Sequence, residues 1–352
     1  MPKERQFVSF DGYKQAMDQL KPGDVAIFAT PPAFRWVHFT YAIEKGINVF
    51  MEKPFASDPY GLHRLIRAGE EADRKNVKIA AGLQCRHSPA RAALIDRIRD
   101  GAMGDITLIR ANRLGGGGWL GNMGDKTNNF MEQLKFARIH LLWLGSGHMV
   151  DYLIHQIDEC CWIKDGWPVE CRGLGGRVPG STDHGQNIDV YSMEYTLADG
   201  AKAFCGFRRI AKTESDFATY IHGTKNAAQF SGNVHKATVH QYRDQRCHND
   251  NIVWTPTPDA VSPWQYEWTD FIHSIRNDLP HNEAKRAAYS DLTTLMGRAA
   301  CHTGQTVTWD QMMNSQFRFC DVDSLTYDSP APVPADENGQ FPVPVPGKWT
   351  EI

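Results

Sequence analysis

No two of the eight cysteines form a Cys-x-x-Cys pair, and their positions (85, 160, 161, 171, 205, 247, 301 and 320) follow no regular spacing. That pattern argues against a zinc ribbon or a disulfide framework, so the thiols read as buried side chains of a reducing compartment. Long apolar runs are missing as well. Stretches such as Val25 to Ala29 and Leu141 to Leu144 fall far below the roughly 18 residues of a spanning helix. There is no basic excess: 38 Lys and Arg face 41 Asp and Glu, a net charge of −3, and no basic stripe is interleaved with aromatics. Neither nucleic acid nor a membrane is therefore an expected partner. Glycine is scarce at the start, where only Gly12 and Gly23 precede Thr30, so no Gly-x-Gly-x-x-Gly turn is available there to take a pyrophosphate. Met1 to Gln6 shows no basic region followed by an apolar run, so the expected location is the cytoplasm, with a leader upstream of Met1 left open.

What is present is ordinary globular usage, 41% hydrophobic and 22% charged, in a 352-residue chain long enough for two domains. The first 85 residues alternate short apolar runs with amphipathic segments, the pattern of a parallel sheet with covering helices. Strands are expected at Val25 to Ala29, Ile47 to Met51 and Val77 to Ala81, and helices at Trp36 to Lys45 and Pro59 to Lys75. From about residue 105 the period shifts toward two. Tyr191, Met193, Tyr195 and Leu197 alternate with polar residues, Asp199-Gly200 marks a hairpin turn, and Ala201, Ala203, Cys205 and Phe207 continue the alternation. The expected fold is α/β plus α+β: a partial doubly wound domain over 1–86, a predominantly antiparallel open-sheet domain over 87–320, and a Pro-rich arm or loose tail over 321–352. A helix over 283–301, capped by Asn282 and stopped by Gly304, is expected to pack back on the first domain.

Two segments carry chemistry. In Gly145 to Asp158, Asp151, His155 and Asp158 fall within about 60° of one another on a helix, beside an apolar stripe of Val150, Leu153, Ile154, Ile157 and Cys161. A histidine is the natural general base near neutral pH, and a carboxylate one turn away can orient it or hold a substrate hydroxyl. A solvated polar face with a satisfied histidine has the same spacing. In Asn48 to Pro54 a strand ends in Glu52-Lys53-Pro54, and ligands of open α/β sheets bind outside the carboxyl ends of strands, where Lys53 can stabilise an alkoxide. An exposed Glu-Lys pair would look alike. Thr30-Pro31-Pro32 ends the preceding strand as a rigid turn, structural or functional. A metal site from His148, Asp151 and His155 is geometrically possible, but no second cluster supplies ligands and no metal is expected.

Together these pieces resemble the Gfo/Idh/MocA family of nicotinamide-dependent sugar and cyclitol dehydrogenases. The shared motifs are Ala29-Thr-Pro-Pro32, Glu52-Lys53-Pro54, Gly82-Leu-Gln-Cys-Arg86 and Asp151-x-x-x-His155-x-x-Asp158, in family order from near residue 7 to about 320. The resemblance implies that Lys53 and His155 act in proton transfer from a substrate hydroxyl, with Asp151 orienting the substrate. It implies NAD or NADP framed by Thr30, Pro31, Pro32, Glu52, Lys53, Pro54 and Gln84, and a sugar or cyclitol facing Arg86, Trp119, His148 and Asp151. It also implies a homo-oligomer, dimer or tetramer. Two features depart from the pattern: Arg35 stands where many members have a histidine, with His38 three residues on, and Phe7 to Tyr13 matches the segment before the family's third helix. The expectation is a chain lacking the family's first strand-helix units. An NAD-retaining glycosidase that uses transient oxidation, and a non-catalytic binding module, are the alternative readings. Trp119, Trp143, Trp162, Trp264 and Trp268 invite a sugar-stacking role, with Trp119 favoured for its glycine-rich setting.

Overall fold

The computed structural model describes residues 2–115, 129–136, 138–181, 185–235 and 237–352. The first layer runs α1 (Gly12–Met17), β1 (Val25–Phe28), α2 (Arg35–Glu44), β2 (Asn48–Met51), α3 (Pro59–Arg74), β3 (Ile79–Ala81) and α4 (Pro89–Arg99). Its three strands are parallel in the order β1-β2-β3, with Ala26 paired to Val49 and Val49 to Ile79. All four residues of β2 and all three of β3 are buried and apolar except Asn48, whose side chain donates to Gly23 O and accepts the Lys78 amide, both at 2.8 Å. The segment 281–283 extends this layer beyond β3: the Ile79 amide donates to His281 O at 2.8 Å and the Glu283 amide to Ile79 O at 3.0 Å.

The second layer comprises β4 (Ile106–Gly115), α5 (Phe130–Phe136), α6 (Leu142–Gly145), α7 (His148–Lys164), β5 (Pro168–Gly176), β6 (Val190–Leu197), β7 (Lys202–Arg209), β8 (Asp216–Gly223), β9 (Ala227–Ser231), β10 (His240–Tyr242) and β11 (Ile252–Trp254). It is completed by α8 (Pro263–Arg276), α9 (Ala284–Thr303), β12 (Val307–Thr308) and α10 (Trp309–Asn314). Nine strands form one sheet in the order β11-β10-β9-β8-β4-β7-β6-β5-β12, antiparallel throughout except for the β4–β7 pair. The β6–β7 hairpin turns at Gly200, whose φ of +85° suits glycine. Its inner face buries Tyr191, Met193, Tyr195, Leu197, Ala203, Cys205 and Phe207, as the alternation predicts.

Helix α9 joins the layers. Asn282 Oδ1 accepts the Ala284 amide at 3.0 Å at its start, and Gly304 ends it with φ +72°. Its residues pack on α3 and α7 as well as on β5 and β6, so it belongs to the core of both layers. The Pro-rich stretch after 321 is an arm held at its far end, where Glu351 is 2% exposed against α9. Six cysteines are buried and Cys247 and Cys320 half-buried, all as thiols. Among the described residues no helix is long and apolar enough to cross a membrane.

Candidate active site

The carboxyl ends of β2 and β3 face the start of α7, and between them lies a cleft of about 280 Å³. Lys53 enters it from the end of β2. Its Nζ stands 3.1 Å from Asp151 Oδ1 and also donates to the Asp151 carbonyl, so the ammonium caps one turn of α7. The loop that carries Lys53 is fixed from behind: the Phe55 and Ala56 amides donate to Asp291 Oδ2 of α9 at 2.7 and 3.0 Å. His155 follows Asp151 by four residues, lines the same cleft, and is 7% exposed, with Nδ1 lacking a hydrogen-bond partner among the described residues. Burial, reinforced by the charges of Lys53, Arg91 and Arg113, pushes its imidazolium well below the usual histidine range. His155 is therefore neutral at physiological pH and able to accept a proton. Lys53, Asp151 and His155 are thus brought to one wall.

On the opposite rim, Glu52 and Gln84 complete the strand ends. Gly82 makes room for Glu52, because a Cβ at residue 82 would stand 2.9 Å from Glu52 Oε2. Gln84 is 2% exposed, and its carboxamide makes no hydrogen bond with the described residues, which leaves a donor and an acceptor at the cleft. Thr30 Oγ1 lies 3.2 Å from His38 Nδ1, and Pro31 and Pro32 lead into a single 3₁₀ turn. Arg35 is buried and donates to the carbonyls of Thr30 and Glu52, tying the ends of β1 and β2 together. The arginine at this position is therefore a strand-end clamp, its ionisation lowered to about 10 by burial against the pull of Glu52. The Lys53-Pro54 peptide is cis.

The remaining expected residues lie elsewhere. Arg86 does not line the cleft: Nε donates to Asp158 Oδ2 and Nη2 to Oδ1, both at 2.9 Å, and the guanidinium lies 5.4 Å from the Trp162 ring. Asp158 leaves the Asp151–His155 face accordingly. Burial works against its ionisation, but Arg86, Arg286 and Ser290 outweigh that and hold the carboxyl below the usual range. His148 is buried, its amide donating to Asn187 Oδ1 at 3.0 Å and its ring 6.3 Å from Phe207, and it is not part of the cleft wall. Trp119 lies outside the described residues, as do Gly116 to Gly118. Among the tryptophans, Trp264 of α8 lines the cleft, whereas Trp143 is fully buried and Trp268 stacks on Phe50 at 4.3 Å.

Five cleft residues escape motif reading: Arg113, Tyr152, Phe217, Val234 and His235. Arg113 does leave a trace, since Ile109, Ala111 and Arg113 share the face of β4 whose first two members are 1% and 0% exposed. A charge at the third inward position marks where the sheet leaves the core. A second cleft of about 370 Å³, between the N-terminal segment and the arm, is walled by Phe10, Tyr13, Phe34 and Tyr327 and contains none of the Lys53, Asp151 and His155 group. Among the described residues no cluster of three or more His, Cys, Asp or Glu side chains is placed to hold a metal ion.

Residues 92–229 match the family model described as the GFO/IDH/MocA C-terminal domain. The rhizopine catabolism protein MocA of Rhizobium meliloti is 20% identical over 285 residues, 80% of this chain and 77% of that protein. Among solved structures, the myo-inositol 2-dehydrogenase of Lactobacillus plantarum superposes with a TM-score of 0.62 at 17% identity, over 84% of this chain and 83% of its own. GenD2 from gentamicin A biosynthesis, solved in complex with NAD, superposes with a TM-score of 0.59 at 17% identity over 81% and 78%. Through residues 92–229 the chain is similar to the Gfo/Idh/MocA family, and its parallel layer followed by a nine-stranded sheet is a fold shared with these solved structures.

Proposed function

We propose that this protein is an NAD(P)-dependent oxidoreductase that oxidises a secondary hydroxyl of a sugar, glycoside or cyclitol. The observation that carries this reading is the Lys53–Asp151 pair, at 3.1 Å, one helical turn from a buried neutral histidine at the carboxyl end of a parallel sheet. Relatives with this fold include a cyclitol dehydrogenase and an NAD complex. The Gln84 carboxamide and Glu52 on the cleft wall, with Thr30, Pro31, Pro32 and Pro54 at the neighbouring strand ends, fit the nicotinamide end of such a cofactor, whereas no Gly-x-Gly-x-x-Gly turn stands before Thr30 for the pyrophosphate. A bound nicotinamide supplies the acceptor for the hydride. Asp151 and Lys53 hold the reacting hydroxyl, His155 takes its proton, and the Lys53 ammonium stabilises the alkoxide as charge develops on oxygen.

The test is nicotinamide reduction followed by absorbance over a panel of sugars and cyclitols. Turnover is expected to fall by roughly 10²- to 10⁴-fold in His155→Ala and Lys53→Met, the range for losing a positioned acid or base. Undiminished turnover in both variants would overturn the assignment. A homo-oligomer belongs to the same reading, supported by Val169, Leu174 and Phe204 standing exposed on β5 and β7. Sedimentation at a single protomer mass would remove that part.

A further inference from the structure

Arg113 stands on β4 at the mouth of the cleft, cross-strand from Phe207 on one side and Phe217 on the other. Its guanidinium lies 3.8 Å from the centroid of the Phe217 ring and 5.5 Å from that of Tyr152. It makes no hydrogen bond or ion pair with any described residue, although it is an obligate cation with five donors. Among the other charges of the cleft, Lys53 is paired with Asp151, and the Glu52 carboxylate lies against Gly82 on the strand-end side, where its charge acts on the buried Arg35. Burial disfavours the Arg113 charge, and no carboxylate opposes that effect; only the Tyr152 phenol does. A half-buried arginine held over two aromatic faces, with its fork open to the cleft, is suited to a planar anion.

We propose that Arg113 selects a substrate bearing a carboxylate on the same sugar unit as the oxidised hydroxyl, the class of uronic and aldonic acids. The proposal rests on the dehydrogenase reading above and narrows its substrate. Two features favour a carboxylate over a phosphate. One unpaired cation balances one negative charge, and the fork presents two parallel N–H groups to two coplanar oxygens. Arg113 lines the same cleft as Lys53, Asp151 and His155, so the anion and the reacting hydroxyl belong to one unit.

The experiment compares matched pairs, D-glucuronate with D-glucose, D-galacturonate with D-galactose and D-gluconate with sorbitol, together with glucose 6-phosphate. Each is followed by kcat/KM and by binding, read by calorimetry. In the wild type at least one acid is expected to exceed its neutral partner by roughly ten- to hundredfold, the worth of a charge-assisted bidentate contact. Arg113→Met is expected to collapse that ratio, and Arg113→Lys to retain part of it, which separates loss of the contact from loss of the fold. An acid-to-neutral ratio near one in the wild type, or a ratio unchanged in Arg113→Met, would overturn the proposal. Preference for the sugar phosphate over every acid would overturn the carboxylate assignment. Acids that bind in an Arg113-dependent manner without reducing nicotinamide would sink the dehydrogenase reading and leave the anion site standing.

Discussion

Glu267 sits on α8 with 0% exposure, and neither carboxylate oxygen has a hydrogen-bond partner among the described residues. Burial raises its pKa from 4.5 to about 8; His87 pulls the other way, and Glu283 and Glu52 add to the rise. At neutral pH the folded protein therefore keeps a proton on Glu267 that the unfolded chain releases. In this window the folded state binds more protons, so this contribution to stability is complete below pH 4.5 and is lost as pH rises toward 8. Glu267→Gln keeps the shape without the charge. Its melting temperature is expected to be close to wild type near pH 4.5, to exceed it increasingly as pH rises to 8 and to hold a constant offset above that, and an offset independent of pH throughout would refute the assignment. Periodicity cannot reveal such a group, because Glu267 belongs to an amphipathic helix in which a glutamate ordinarily faces water. That Lys53, Asp151 and His155 share one cleft was legible because strand-end position and helical spacing are local properties. Arg86 was not, since the carboxylate that claims it lies 72 residues away.

At the scale of elements, boundaries announced by capping chemistry were readable, and close approaches between elements were not. Asn282, Gly304 and Asp199-Gly200 mark their turns locally, and the structure places all three where those residue types are needed. Gly297 in the middle of α9 gives no such sign. A Cβ there would stand 2.0 Å from Tyr195 Oη and 2.6 Å from Met193 Sδ, so the glycine lets α9 lie against β6. Gly297→Ala gains about 1 kcal/mol of helix propensity, but overpacking of a tight core costs about 1–3 kcal/mol. Because the clash involves a phenol that donates to Thr293 O at 3.0 Å, the cost is expected to win. Urea unfolding should show Gly297→Ala destabilised by up to about 2 kcal/mol. Tyr195→Phe, which removes the obstructing oxygen, should recover part of that loss in the double variant, and strictly additive effects would count against the contact.

Across the whole molecule, one buried arginine gathers segments far apart in sequence. Arg298, 1% exposed, donates to Glu351 near the end of the arm, to Ser146 O at 2.9 Å and Oγ at 2.8 Å before α7, and to Ser57 O at 2.9 Å after the Lys53 loop. Glu351 also faces His302 Nδ1 at 2.6 Å and accepts from Trp349 Nε1 at 2.9 Å, and His302 reaches the Tyr191 hydroxyl at 2.9 Å. Proline-rich composition distinguishes an arm from a helix but does not tell whether the arm docks; a single buried carboxylate decides it here. Burial alone would raise the Glu351 pKa, but Arg298 and His302 outweigh it and bring it from 4.5 down to about 2. This depressed acid contributes stability that is present above pH 4.5 and lost as pH falls toward 2. Glu351→Ala leaves Arg298 buried without its carboxylate, a change that costs about 3–5 kcal/mol in comparable buried pairs. The difference in unfolding free energy from wild type is expected to be full between pH 6 and 8 and to shrink on acidification. Because Arg298 also spans the loops on either side of the cleft, the same substitution should raise KM for the substrate while the fold persists. A variant with wild-type stability and KM would mean that the arm merely rests on the surface and that the cleft is held without it.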